Sequence, residues 1–169
     1  GRKCDVYAAA DYTVVDDMLI PDFASYNILF LRERIVVAYT QRSKYASEIN
    51  GDNWYQILLR PDVKVGYANP LQAPVGWRTL LVWKLADDYY ADKLNGRSLY
   101  DQFLKKILPK HVVPDVGTLQ PLLESMELDY AFMYKATAMQ HNLQWIKLPD
   151  QIDLGSEEYA DDYAKAEIE

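Results

Sequence analysis

The sequence predicts an α/β protein with a mainly parallel sheet covered by helices. Short apolar runs with strand character, such as residues 34–40 (RIVVAYT), 129–134 (DYAFMY) and 143–148 (LQWIKL), alternate with segments of helical spacing. Alternation of that kind suits parallel strands joined by crossover helices. Half of the 169 residues are apolar and only seven are Gly and eight Pro, so a real core is available and disorder is not expected.

The elements follow in order. Residues 5–10 read as a short buried strand, and residues 12–19 as a short helix stopped before Pro21. Residues 26–31 and 34–40 read as two strands separated by charge, and residues 43–48 as a short helix. Asp52 is a suitable N-cap for a helix over 53–59, closed by Pro61. A strand over 63–68 and a helix from Pro74 to about residue 91 follow, with Trp77, Leu80, Leu81, Lys84 and Leu85 on its apolar face. Asn95-Gly96 marks a turn, and residues 98–108 form an amphipathic helix. Residues 111–114 read as a short strand. Thr118 suits the N-cap of a helix over 118–125, in which Pro121 occupies the first turn without loss of a hydrogen bond. A strand over 129–134, a helix over 135–141 and a strand over 143–148 complete the alternation. The acidic end carries a candidate last strand at 164–168.

The stretch 63–83 (VKVGYANPLQAPVGWRTLLVW) organises the rest. It reads as strand, tight loop and helix start, with Pro74 at the first helical position. Such a start presents unpaired N–H groups and the positive end of the helix dipole, which together favour an oxyanion. In a parallel sheet the ligand crevice lies beyond the carboxyl ends of the strands. Tyr134, closing the 129–134 strand, is therefore expected beside Pro74. Arg78 also lies in the first turn, where a surface salt bridge is the simpler role.

Composition removes several function classes. A net charge of −7 argues against a nucleic-acid binder. It leaves a small anion possible, because distant charges are screened over about 8 Å. A single cysteine, Cys4, excludes an intramolecular disulfide, and no histidine lies near it. His111 and His141 lack metal-ligand spacing. Trp77, Trp83, Met133 and Met139 read as core residues, while Asp87, Asp88, Asp92, Asp161 and Asp162 read as solvated charge. No transmembrane-length run, signal peptide, P-loop, nucleophile elbow or HExxH zinc motif is present.

The blocks DVYAAADYTVV, RIVVAYT, DNWYQILLRPDVKVGYANP, LLESMELDYAFMYKATAMQH and LPDQIDLGSEEYA, in this order, resemble the extracytoplasmic tungstate/molybdate-binding proteins of ABC transporters, particularly the archaeal-type branch. The resemblance implies a type II periplasmic-binding-protein-like fold, with two α/β lobes holding an oxyanion between them. Residues 1–39 would belong to the first lobe and hinge strand, 40–140 to a complete second lobe, and 141–169 to the hinge return and re-entry into the first lobe. The chain would then be an internal fragment, with serine ligands of the family lying before Gly1 and a closing segment after Glu169. Implied partners are the oxyanion and an ABC transporter permease, with no nucleic acid and no direct membrane insertion. The implied location is periplasmic or extracellular, with a lipid anchor on the full-length protein as one option.

The family's motif carries over in part. The ligand aspartate of the archaeal-type branch, before Pro-x-Gly, is Ala73 here. Its ligand glutamate falls at Val116, or at Asp115 if the alignment slips by one, and the motif tyrosine is Tyr134. Ala73-Pro74-Val75-Gly76 instead resembles the bacterial molybdate-binding version, which holds a four-coordinate oxyanion by hydrogen bonds alone. The implied binding set is Ala73, Pro74, Val75, Tyr134 and Val116, with no protein-ligated metal, no cofactor and no catalysis. The guest could be tungstate, molybdate or sulfate. Two alternatives stay open: an enzyme handling a phosphate or sulfate ester with His111 or His141 as acid or base, and the ligand-sensing domain of a regulator. The enzyme requires a histidine at the mouth of the Ala73–Gly76 crevice.

Overall fold

The computed structural model describes residues 4–9 and 12–168. The chain divides into two compact units, 1–32 and 33–169.

In the first unit, α1 (Tyr12–Met18) is the expected helix. The N–H groups of Leu19 and Ile20 both turn back to the Val15 carbonyl and end it. The strands expected at 5–10 and 26–31 do not form among the described residues; Ala10 lies outside them. Tyr26, Ile28, Leu29, Phe30 and Leu31 are all exposed. Their apolar pattern records a preference for burial, and without a ladder partner that preference alone does not make a strand.

The second unit holds a five-stranded sheet in the order β3-β2-β4-β1-β5. The strands are β1 (Ile35–Tyr39), β2 (Val65–Ala68), β3 (Val112–Val113), β4 (Tyr130–Tyr134) and β5 (Gln144–Lys147). β3, β2 and β4 are mutually parallel, whereas β1 runs antiparallel between β4 and β5. The expectation of a mainly parallel sheet is corrected to a mixed one. Strand–helix alternation constrains crossover connections, and β1 reaches its neighbours by long excursions that leave its direction open.

Alternate residues of the strands face opposite sides, and each side has its own core. Ile35, Val37, Val65, Tyr67, Tyr130, Phe132 and Ile146 pack with residues of α2 (Trp54–Leu58), α3 (Pro74–Tyr89) and α5 (Leu99–Lys106). Val36, Ala38, Ala131 and Met133 pack with α6 (Leu119–Glu124) and Ala138 of α7 (Lys135–Gln140). The first core centres on rings: Phe103 stacks on Trp54 and on Trp83, and Phe132 meets Trp83 edge-on at 5.4 Å between centroids. The short helices α4 (Ala91–Leu94) and α8 (Ala160–Tyr163) complete the unit.

Several local expectations are corrected. On α3 the expected Leu80 and Leu85 are buried, together with Val75, Gly76, Thr79, Val82, Trp83 and Ala86, while Trp77 is 44% exposed. Met139 is also exposed, although Met133 is core. Residues 43–48 form successive turns, with Tyr45 in the left-handed region at φ 62°. There the Ser43 hydroxyl accepts the Thr40 N–H and Asp129 accepts the Lys44 N–H, so side chains compete with a helical ladder. Asn53 rather than Asp52 is the N-cap residue of α2, and Thr118 is that of α6 as expected; neither gives a side-chain cap bond, and Asp115 accepts the Thr118 N–H. Ala164 and Lys165 continue the turns of α8, as Ala164 N–H bonds Ala160 and Ala166 N–H bonds Tyr163, and residues 166–168 are irregular, so no strand forms. Asp87 is no solvated charge: its carboxylate accepts from the Ser98 hydroxyl and the Leu99 and Tyr100 N–H groups, at the start of α5.

Candidate functional site

The parallel strands bring the predicted segments to one edge of the sheet. Ala68 pairs with Val113, Gly66 pairs with Ala131, and β4 ends at Tyr134. The segments carrying Val116, Ala73 to Val75, and Tyr134 therefore all leave from the carboxyl edge of β3, β2 and β4. The Asn69 N–H bonds the Val113 carbonyl at 2.7 Å and ties the first two together.

The turn from β2 into α3 is very tight. Ala73 is the extended N-cap residue, at φ −137° and ψ 129°, and Pro74 occupies the first helical position. A Cβ on Gly76 would lie 2.1 Å from the Ala68 carbonyl oxygen, against backbone that has nowhere to move. Glycine at this position is what lets the first turn of α3 rest on the end of β2.

The amides of this turn are not equivalent. The Ala73 N–H is bonded to the Asn69 carbonyl at 2.9 Å, and the Gly76 N–H turns back to the Ala73 carbonyl at 2.9 Å. Pro74 has no N–H. Among the described residues the Val75 N–H has no such loop or cap bond, which leaves it as the donor of the first turn. The expected use of the Ala73 amide is thereby narrowed: that N–H already holds the loop together.

Arg78 and Tyr134 meet here. The Arg78 guanidinium donates to the Tyr134 hydroxyl at 3.0 Å. This contact joins α3 to the end of β4 and sets a cationic group beside the helix start. Val116 is half-buried and packs against both cores. Asp115 is exposed, and its carboxylate accepts from the N–H and hydroxyl of Thr118 in its own turn.

The histidines lie elsewhere. His111 precedes Val112, which pairs with Tyr67, so it sits level with Gly66 toward the amino edge. It is 4% exposed, and burial with the nearby Lys110 pushes its imidazole below the usual range. His141 ends α7 shortly before Gln144, which pairs with Tyr39, itself opposite Tyr130 at the start of β4. Neither reaches the crevice, so the acid–base group that the enzyme alternative requires is missing from it. The Cys4 thiol is exposed and donates to the Val6 carbonyl. Among the described residues no helix is long and apolar enough to cross a membrane.

A mixed α/β sheet with a helix start at the carboxyl edge of its parallel strands is consistent with a solute-binding protein fold. The chain belongs to the family described as bacterial extracellular solute-binding protein, which matches residues 1–163. It is 46% identical over 169 residues to an uncharacterized solute-binding protein of Petrotoga mobilis, covering 100% of this chain and 51% of that protein. It is 40% identical over 185 residues to the molybdate/tungstate-binding protein WtpA of Pyrococcus abyssi, covering 99% of this chain and 54% of that one. The same-named protein of Thermococcus kodakarensis is 40% identical over 184 residues, with 99% and 52% covered. The chain thus spans about half the length of the curated relatives it matches. A solved structure titled as a two-component system protein that mediates signal transduction shares the fold, with TM-score 0.54 and 16% identity over 70% of this chain and 38% of that one. The family and these relatives are described as binding proteins.

Proposed function

We propose that this chain supplies one lobe, and part of a second, of the substrate-binding component of an ABC transporter, and that its solute is a tetrahedral oxyanion, tungstate or molybdate. The observation that carries the reading is the Pro74 helix start, seated on the end of β2 by Gly76 and joined to Tyr134 through Arg78. The names of the Pyrococcus and Thermococcus relatives support the choice of anion.

In this scheme the oxyanion sits at the carboxyl edge against Pro74 and Val75. It accepts from the Val75 N–H and the Tyr134 hydroxyl, with Ala73 and Val116 forming the wall. A dianion stripped of water needs hydrogen bonds in place of its hydration shell. Charge-assisted bonds from fixed donors supply them at roughly twice the strength of neutral ones. Selectivity then follows from donor placement and cavity size. The remaining donors come from the other lobe, with the division near residues 39 and 140. The protein works in the periplasm or outside the cell and hands its solute to a permease.

Calorimetric titration of the full-length protein with tungstate, molybdate, sulfate and phosphate tests this. Heat with tungstate or molybdate is expected, and weak or no binding by residues 1–169 alone. Heat with phosphate only would reject the assignment.

A further inference from the structure

A second site lies at the opposite, amino edge of the same sheet. A cleft of about 500 Å³ opens there between the end of α5 and the start of β2. Lys64, Lys105, Lys106 and His111 line it, together with apolar surface from Leu59, Val63 and Leu108. Clefts of roughly 300–1,000 Å³ that combine an apolar wall with a few polar groups are the usual shape of an organic-ligand site.

Carboxylates lie near this cleft, Asp62 and Asp129 about Lys106 and Glu127 about Lys64, but none forms a direct ion pair with its lysines among the described residues. Lys44 is paired with Asp62 and Lys110 with Glu127. Among the described residues Lys64, Lys105 and Lys106 form no ion pair, although the whole chain carries a net charge of −7. Lys106 gives one hydrogen bond to the Arg60 carbonyl at 2.6 Å and retains two further donors. Asp129 is the nearby unpaired carboxylate, and its two oxygens are taken by the Lys64 and Lys44 N–H groups. Lysines in the last turn of a helix offset its dipole, but that role needs neither a third lysine from another element nor an enclosing apolar wall.

His111 forms part of the cleft floor and is itself closed off from solvent. It is 4% exposed, and its Nε2 has no hydrogen-bond partner among the described residues. A buried polar nitrogen left unpaired is unfavourable.

We infer that this cleft binds an amphipathic organic phosphate, with the phosphate among Lys64, Lys105 and Lys106 and the apolar body against Leu59, Val63 and Leu108. The site is separate from the oxyanion crevice and does not depend on that reading. A free inorganic phosphate would satisfy the lysines and leave the apolar wall bare, so both parts of the ligand contribute.

The test is an amide chemical-shift titration of this chain with 1-naphthyl phosphate, run beside 1-naphthol and inorganic phosphate. Shifts are expected at residues 61–65 and 102–111, with either control binding roughly tenfold more weakly, the equivalent of about one charged contact. The double variant K105Q/K106Q should weaken 1-naphthyl phosphate by a similar factor, and Lys110→Gln should leave it unchanged. If K105Q/K106Q loses its native spectrum, Lys64→Gln, on the other wall, replaces it with the same expected loss. Inorganic phosphate binding as tightly as the naphthyl ester would overturn the proposal. So would shifts confined to the exposed apolar residues 26–31, or a K105Q/K106Q or Lys64→Gln affinity equal to that of the parent.

Discussion

The two edges of the sheet offer an anion different things. At the carboxyl edge the groups are a helix-start amide, a tyrosine hydroxyl and an arginine held against it, all placed by backbone packing. At the amino edge they are lysine ammoniums on flexible stems around a buried imidazole. Fixed dipoles discriminate by geometry, because they lose little freedom on binding and cannot follow a guest of the wrong size. Flexible charges attract many anions and select weakly, and salt screens them. On the two readings proposed above, the first edge takes a small oxyanion and the second a larger ligand whose apolar body supplies part of the affinity.

The strongest way to break this comparison is Gly76→Ala. The new methyl would meet the Ala68 carbonyl at 2.1 Å and force α3 off the end of β2. A loss of about 3 kcal/mol of stability is expected from overpacking against backbone. Urea denaturation measures it, and a loss below about 1 kcal/mol would mean that the helix start is not rigidly seated.

Tyr134→Phe sharpens the comparison at the same edge. It removes the hydroxyl that accepts from Arg78 and donates to the proposed guest. Tungstate affinity of the full-length protein should fall by about 1.5–3 kcal/mol, the range for a hydrogen bond to a charged group. Calorimetry reads this directly, and an unchanged affinity would remove Tyr134 from the site.

The smallest effect is expected at the amino edge. The His111 imidazole is held below its ordinary 6.5 by burial, with Lys110 adding repulsion. As pH falls below 6.5 the unfolded chain takes up the proton first. The stability that His111 contributes is thus complete above 6.5 and is lost as pH falls through its folded value. The slope is at most about 1.4 kcal/mol per pH unit. In His111→Gln the slope in that window should flatten. Equal slopes in thermal unfolding of parent and variant across pH 5–7 would show that burial does not hold this imidazole neutral.

Much of the fold could be read from residue pattern, and the misreadings have a common cause. β1, β2, β4 and β5 were each legible because alternation places their residues on two buried faces. The run at 26–31 has similar apolar composition and forms no strand, since composition carries no information about a ladder partner. On α3 the sequence spacing placed Trp83, Leu80 and Leu85 in the core correctly, but Trp77, read the same way, lies at the exposed border of that face. At the site, Pro74 and Gly76 were legible as a helix start. Engagement of the Ala73 amide by Asn69 was not, because a backbone carbonyl is available at every residue and only loop geometry chooses among them. Nor was the Arg78–Tyr134 contact, which spans 56 residues of sequence.

What the sequence by itself determined is local. It set where helices begin, which residues prefer burial, and that Pro74 and Gly76 would make a tight entry into a helix. Those properties depend on dihedral preference and on neighbours a few residues away. Only the tertiary structure decided the direction of β1, the convergence of Val116, Val75 and Tyr134 at one edge, and the gathering of three unpaired lysines at the other. These depend on strand order, and strand order is a property of the whole packed sheet.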